Sequence, residues 1–256
     1  MTATTRNVPA VTVRAPGATQ ALRAHQRALV HACYSLGWAP GNTLHALCGP
    51  ASSSPSFWRT LTRLHDAGFL DRQRTVGFCT RPINLYGVGR AGLAVGQPRP
   101  WRPRPAQLEH TLAIGEVLGL LARPGRYGWL SVTGWQGEAE LRDWAARGDP
   151  YPDLLVNWRV DGDAGSWCVE VDRGTESGPA WRRKLVRYLR ARPTATILAI
   201  TTSAARARNL AQLGVDAGVH VQALALTELI AGDPPEVYDS RTRTRLSLPA
   251  GCAQSV

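Results

Sequence analysis

Lysine is nearly absent from this 256-residue chain: Lys184 is the only one, and the other 29 basic side chains are arginine. Almost every cation is therefore a planar, permanently charged fork rather than a compact ammonium. Long apolar runs are also missing. No stretch reaches about 18 apolar residues, which argues against an ordinary membrane-spanning helix. Met1 to Ala10 lacks the apolar core and small-residue cleavage site of a secretory signal, so a cytoplasmic location is expected. Cys33, Cys48, Cys79, Cys168 and Cys252 are odd in number and scattered, with neither Cys-x-x-Cys nor histidine at zinc-ligand spacing. A disulfide framework and a zinc finger are thereby disfavoured, and buried or free thiols are expected. With 44% hydrophobic residues the chain has what a packed core needs, and its length suits one large domain or two small ones.

What the sequence has in excess is positive charge, and it is unevenly placed. The formal net charge is +11. Between Met1 and His110 lie 13 arginines against three acids (Asp66, Asp71, Glu109), whereas the remaining 146 residues hold 17 basic and 16 acidic side chains. A polyanion is the natural partner for the first part, because neutralised phosphates release counterions whatever the base sequence. Arginine-rich composition alone would have charged both parts alike.

Turn-forming residues divide the chain. Residues 1–19 are polar with Pro9, Pro16 and Gly17, and read as a flexible arm. Gln97 to Ala106 alternates proline with arginine, which forbids helix and favours an extended linker over 97–106. Between them, 20–96 predicts three helices and a hairpin: Ala21–Leu36, a short helix capped by Asn42, Ser54–Ala67, then strands Phe69–Val76 and Ile83–Val88. In the third helix Phe57, Leu61 and Leu64 are spaced i, i+4, i+7 and should face the core. Ser56, Arg59, Thr60 and Arg63 lie on the other side. This order is that of a winged helix-turn-helix, whose third helix enters the major groove while Arg72, Arg74 and Arg81 on the wing touch phosphate. Three helices and a hairpin also make protein-interaction domains, so the alternative stays open.

From 107 to 239 the pattern alternates helix and strand, giving an α/β sandwich and an overall α+β (mixed α/β) fold class. The strands Asp153–Val160 and Ser166–Asp172 flank Asp161-Gly162-Asp163-Ala164-Gly165, which implies an antiparallel hairpin. Helices over Gln107–Ala122, Glu138–Ala146, Pro179–Leu189 and Ala204–Leu213 are expected, with strands near Tyr127–Thr133, Ala195–Thr201 and Val219–Leu226. Residues 240–256 read as a flexible tail.

Glu170 and Asp172 alternate with Val169 and Val171, so their carboxylates share one face of a strand. Asp153, opening the partner strand, can come near Glu170. Converging carboxylates call for a cation or a strong donor between them, and hard oxygen ligands suit Mg²⁺ or Mn²⁺. Glu116 on the preceding helix is a further candidate ligand, with a solvated helix face as its plain alternative. A structural ion pair with Arg173 or Arg182 is the alternative for the strand acids. Lys184 stands out because the composition elsewhere excludes lysine, and Tyr188 follows one turn later on the same helix face.

These motifs carry a family resemblance. Tyr151-Pro152-Asp153, the run Val169-Glu170-Val171-Asp172-Arg173-Gly174-Thr175-Glu176, Lys184-x-x-x-Tyr188 and the softer Leu108 to Ala113 segment resemble the replication-relaxation family of plasmid and integrative-element proteins. With the winged helix, the similarity covers about Gln20 to Asp239. It implies a role in plasmid replication, DNA relaxation or mobilisation, and a second domain similar to the PD-(D/E)XK, restriction-endonuclease-like fold. On that footing Asp153 and Glu170 match the metal-binding acids and Glu116 the helical acid. Asp172 stands where an active nuclease usually has lysine, and Lys184 would have to supply that charge from the next helix.

Three functions follow as expectations. The first is an accessory protein that binds double-stranded DNA and works with plasmid replication or transfer proteins. The second is a metal-dependent nuclease or nickase, with Asp153, Glu170, Asp172 and Lys184 as its catalytic set. The third is a winged-helix regulator whose second domain makes a homodimer.

Overall fold

The computed structural model describes residues 22–48, 54–76, 82–93, 105–123, 130–141, 150–160, 163–231 and 235–247. The expected arm (1–19), Arg81 and most of the expected linker lie outside these residues. The architecture is mixed α/β, with a helical first part carrying a three-stranded sheet and a second part built on a seven-stranded one.

The first part follows the expected order of three helices and a hairpin. Helix α1 spans Ala24–Leu36 and ends at Gly37, whose φ of 73° is a left-handed conformation that glycine adopts without steric cost. Helix α2 covers Gly41–Cys48 and α3 Ser54–Asp66, and Phe57, Leu61 and Leu64 of α3 are buried as their spacing predicts. Strands β2 (Leu70–Val76) and β3 (Pro82–Val88) form the antiparallel hairpin. Between α1 and α2 a strand the sequence did not suggest, β1 (Trp38–Pro40), pairs with β3 to give the order β1-β3-β2. Gly37 and Pro40 read locally as helix breakers. The strand owes its existence to the open edge of β3, a tertiary effect that no window of sequence carries.

Helix α4 (Pro105–Leu121) starts inside the expected linker and packs against β1 and α2. The Thr43 hydroxyl donates to the Gly115 carbonyl at 2.9 Å. One apolar core runs from Leu29 and Leu61 through Val117, Leu118 and Leu121 to Val156 and Val169. A second tie lies after β4 (Ser131–Gln136): Glu140 accepts from the Ser35 hydroxyl and from the Gly137 N–H, and lies 3.4 Å from His31. A Cβ on Gly137 would stand 2.4 Å from the Ser35 carbonyl oxygen, so only glycine allows this approach. Of the helix expected at Glu138–Ala146, residues 138–141 are helical and the rest lie outside the described residues.

The large sheet has the order β10 (Thr244–Ser247), β9 (Glu236–Asp239), β8 (His220–Ala225), β7 (Thr196–Thr201), β6 (Asp163–Asp172), β5 (Leu154–Val160), β4. Strands β5 (Leu154–Val160) and β6 (Asp163–Asp172) are the predicted antiparallel hairpin, with Leu154 opposite Val169. Strands β6, β7 (Thr196–Thr201) and β8 (His220–Ala225) run parallel, so each connection is a crossover helix. These helices are α5 (Gly178–Ala191) and α6 (Ala204–Ala217). Ser177 and Ser203 cap them by accepting from the backbone N–H groups of Ala180 and Arg206, and Pro179 sits in the first turn of α5. Trp181, Leu185 and Tyr188 of α5 pack with Leu210 of α6, Ile197 and Val221 on one face of the sheet.

Two expectations are corrected here. The run from Val219 ends as strand at Ala225, and Leu226–Ala231 forms a short helix, α7. The tail expected from 240 contains strand β10 (Thr244–Ser247), paired antiparallel with β9 (Glu236–Asp239). The cause is the turn between them. The Asp239 carboxylate accepts from the backbone N–H groups of Arg241 and Thr242 at 2.8 and 3.2 Å, which reverses the chain. Among the described residues no helix is long and apolar enough to cross a membrane.

Candidate functional site

Where β6 ends and β5 begins, three elements bring ionisable groups together. Asp153 stands just ahead of β5, opposite the end of β6. One of its carboxylate oxygens accepts the Val171 N–H at 2.7 Å, continuing the ladder with a side chain, and the other lies 3.1 Å from His110 Nε2 on α4. The Asp153 carboxylate raises the His110 pKa against the effect of partial burial.

Glu170 sits one position before Val171 and faces α5. Its residue is 3% exposed, and both oxygens are engaged: Lys184 Nζ donates to one at 3.0 Å and the Tyr188 hydroxyl to the other at 2.7 Å. Loss of hydration pushes its pKa up to about 7, the nearby Asp153 charge adds to the rise, and Lys184 and Tyr188 oppose it. Lys184 also donates to Glu176 at 3.1 Å and lies 4.9 Å from the Trp181 ring centroid. Its ammonium is held charged by Glu170 and Glu176, which outweigh burial, while Tyr188 is driven far towards its neutral form by burial and the same carboxylate. The turn-spaced Lys184 and Tyr188 thus grip one carboxylate, as their i, i+4 relation allows.

Asp172 shares the strand face with Glu170 but has different partners. Arg206 Nε on α6 donates to it at 2.6 Å, and the Gly174 N–H donates to its other oxygen at 2.9 Å. Arg206 also bonds the Glu176 carbonyl, so it ties the loop after β6 to α6. The partners imagined for these acids are elsewhere: Arg173 pairs with Glu109, and Arg182 lies 3.7 Å from Asp216. Glu116 is two turns beyond Glu109 on α4, its pKa raised by burial.

The fit to Mg²⁺ or Mn²⁺ is poor as the side chains stand. Among the described residues no three His, Cys, Asp or Glu side chains are grouped to hold a metal ion. Asp153 and Glu170 already satisfy their oxygens with protein donors, and the Lys184 ammonium occupies the place where a cation would neutralise Glu170.

The second assembly is on the first part. On α3, Arg59 and Arg63 are exposed and Ser56 and Thr60 half-buried, opposite the apolar triad. The Thr60 hydroxyl donates back to the Ser56 carbonyl at 3.0 Å. Ser56, Thr60 and Arg63 border a 340 Å³ groove whose far wall is Arg23, His25 and Gln26 at the start of α1. Arg72 and Arg74 are exposed on the same face of β2, and Arg72 stands opposite Tyr86 in the hairpin register. Arg81 lies outside the described residues.

Sequence reasoning did not place His110, Tyr188, Glu176 or Arg206 in these networks with a role. Tyr188 was signalled by its spacing from Lys184, and Glu176 by its place in the acidic run. His110 and Arg206 had no local signal, since each meets its acid only through the packing of α4 and α6.

Fold and site together define a mixed α/β protein with an arginine-bearing helical part and an internal carboxylate–lysine cluster. Residues 34–198, well over half of the chain, match the replication-relaxation family, and the chain belongs to that family. No curated protein and no solved structure matches it.

Proposed function

We propose that this protein is a duplex-DNA-binding accessory of plasmid replication, relaxation or mobilisation, with its first part acting as a winged helix. The observation that carries this reading is the face of α3 on which Arg59 and Arg63 stand exposed beside Ser56 and Thr60, with Arg72 and Arg74 exposed on the β2-β3 hairpin. A helix of this kind enters the major groove while the wing meets phosphate. The family to which the chain belongs supplies the process, and the excess arginine of the first part supplies sequence-independent affinity. Plasmid replication or transfer proteins are the further partners of this reading.

The test is duplex affinity against salt. Fluorescence anisotropy with a labelled duplex should show affinity falling about 0.9 log units per log unit of salt for each phosphate neutralised. A flat response between about 50 and 200 mM salt, the range over which released counterions act most visibly, would contradict it.

A second reading, cleavage of bound DNA, rests on the single lysine being held at Glu170 next to Asp153. In this reading Asp153 and Glu170 would have to hold a divalent cation, which would supply Lewis-acid chemistry, and Lys184 would stabilise developing negative charge. Asp172, bound to Arg206, would only support the loop. Nicking of supercoiled plasmid with Mg²⁺ or Mn²⁺ by the wild-type chain, Glu170→Ala and Lys184→Ala decides it. Equal activity in all three marks contamination and removes the reading.

A further inference from the structure

The outer face of α5 carries a ridge of charge that neither the α3 surface nor the internal cluster uses. Its sequence, Gly-Pro-Ala-Trp-Arg-Arg-Lys-Leu-Val-Arg-Tyr-Leu-Arg-Ala, contains five basic residues and no acid. Trp181, Leu185 and Tyr188 point inward and are buried, and Lys184 turns to Glu170. Arg182, Arg183, Arg187 and Arg190 are left on the exposed side. With Pro179 and Val186 these arginines border a 680 Å³ groove closed on its other side by Leu213 of α6. The charges of this part of the chain nearly balance overall, yet the acids Asp153, Glu170 and Asp172 are drawn to the sheet while four arginines of α5 are left outside. Asp216 lies 3.7 Å from Arg182 at the edge of the ridge.

We infer that this ridge is a second binding surface for duplex DNA, gripping its sugar-phosphate backbone. Arginine forks match phosphate oxygens in bidentate geometry, and they stay charged at every physiological pH. From Arg182 to Arg190 the helix rises about 12 Å at ~1.5 Å per residue, roughly the rise of three to four base pairs along one strand. A single-stranded ligand would want aromatic stacking platforms. The groove offers none, since Trp181 is 1% exposed and Tyr188 fully buried. The inference rests on the DNA ligand proposed above but on a separate surface, over 100 residues further along the chain than α3.

The experiment compares full-length wild type with Arg183→Ala/Arg187→Ala/Arg190→Ala and with Arg59→Ala/Arg63→Ala, by anisotropy on a duplex of about 30 base pairs over a salt series, with poly(dT) as competitor. The α5 triple variant is expected to lower the salt slope by about 2 to 3 and to weaken binding at least about tenfold near 100 mM salt. The corresponding triple lysine variant should recover most of the slope, because counterion release counts charges. In parallel, an arginine-specific dicarbonyl reagent applied to the wild type should modify Arg183, Arg187 and Arg190 less when duplex is bound, a readout independent of any variant's folding. Unchanged slope and affinity in the α5 triple, or no protection of these arginines, overturns the ridge and leaves the α3 reading standing. Loss only in the α5 triple, with the α3 double variant binding normally, upholds the ridge and overturns the α3 reading. Displacement by poly(dT) at equal nucleotide concentration overturns the duplex assignment.

Discussion

Helices α3 and α5 are built to one plan and set to different tasks. Each opens with a serine and a proline, each buries three residues spaced i, i+4, i+7, and each turns arginines outward. In α3 the buried triad Phe57, Leu61, Leu64 is wholly apolar, and every charge stays on the solvent side. In α5 the triad includes Tyr188, and Lys184 leaves the outer ridge to reach inward, so this helix carries charge on both sides of its apolar stripe. The difference teaches that the arginines of α3 stand towards solvent while Lys184 and Arg206 are tied to buried acids of the large sheet. Substitutions should therefore separate binding from stability according to which helix they touch.

The largest effect is expected from Lys184→Ala, which strands Glu170 without its cation. Removing one partner of a buried pair costs about 3 to 5 kcal/mol, and Lys184's 27% side-chain exposure places this one near the lower end. Because Glu170 can then stay protonated, the loss should be greater at pH 8 than at pH 5. Urea unfolding at both values checks this, and an equal loss at both would remove the pair as the cause.

Next in size is Arg206→Ala, about 2 to 3 kcal/mol, since Asp172 is 1% exposed and loses its only ionic partner among the described residues. Adding Asp172→Asn should restore part of the loss, and a double-mutant cycle measures how much. Tyr188→Phe, which removes one donor from Glu170, should cost about 1 kcal/mol.

The wild type should itself lose stability as pH rises from about 5 to 8. Folding keeps the Glu170 proton up to about 7, whereas the unfolded chain releases it near the ordinary value of 4.5. His110 acts in the same direction, because its raised pKa gives stability that is present below the unfolded value and lost as pH climbs through the folded one. Asp239 works the other way at the acid end. Its carboxyl is held below the ordinary range, against burial, by the His220 and Gln222 hydrogen bonds, so its contribution disappears as pH falls. Glu170→Gln should flatten the decline above pH 5; a slope unaltered in that variant would transfer it to other groups. The smallest stability effect belongs to Arg59→Ala/Arg63→Ala, within about 0.5 kcal/mol, even as duplex affinity drops. A melting shift comparable to that of Arg206→Ala would erase the contrast between the two helices.

Much of this was legible in the residues. The triad of α3, the β5-β6 hairpin and the crossover helices followed from periodicity and capping, which are local. The strand β1 and the β9-β10 pair were not, because Trp38–Pro40 and Thr244–Ser247 are four residues or fewer and become strand only by docking on an edge. At the site, alternation put Glu170 and Asp172 on one face, and the i, i+4 spacing joined Lys184 to Tyr188. Periodicity could not say that α5 would answer the first acid and α6 the second. It could not say either that His110, over 40 residues before Asp153, would arrive through α4.

Gly137 and Glu140, pressed against the end of α1, tie the two parts together beside the core they share. A duplex seated on α3 would therefore lie against a first part that these contacts tie to the large sheet. Curvature of the nucleic acid towards a more distant surface would carry a bending cost that depends on its base steps.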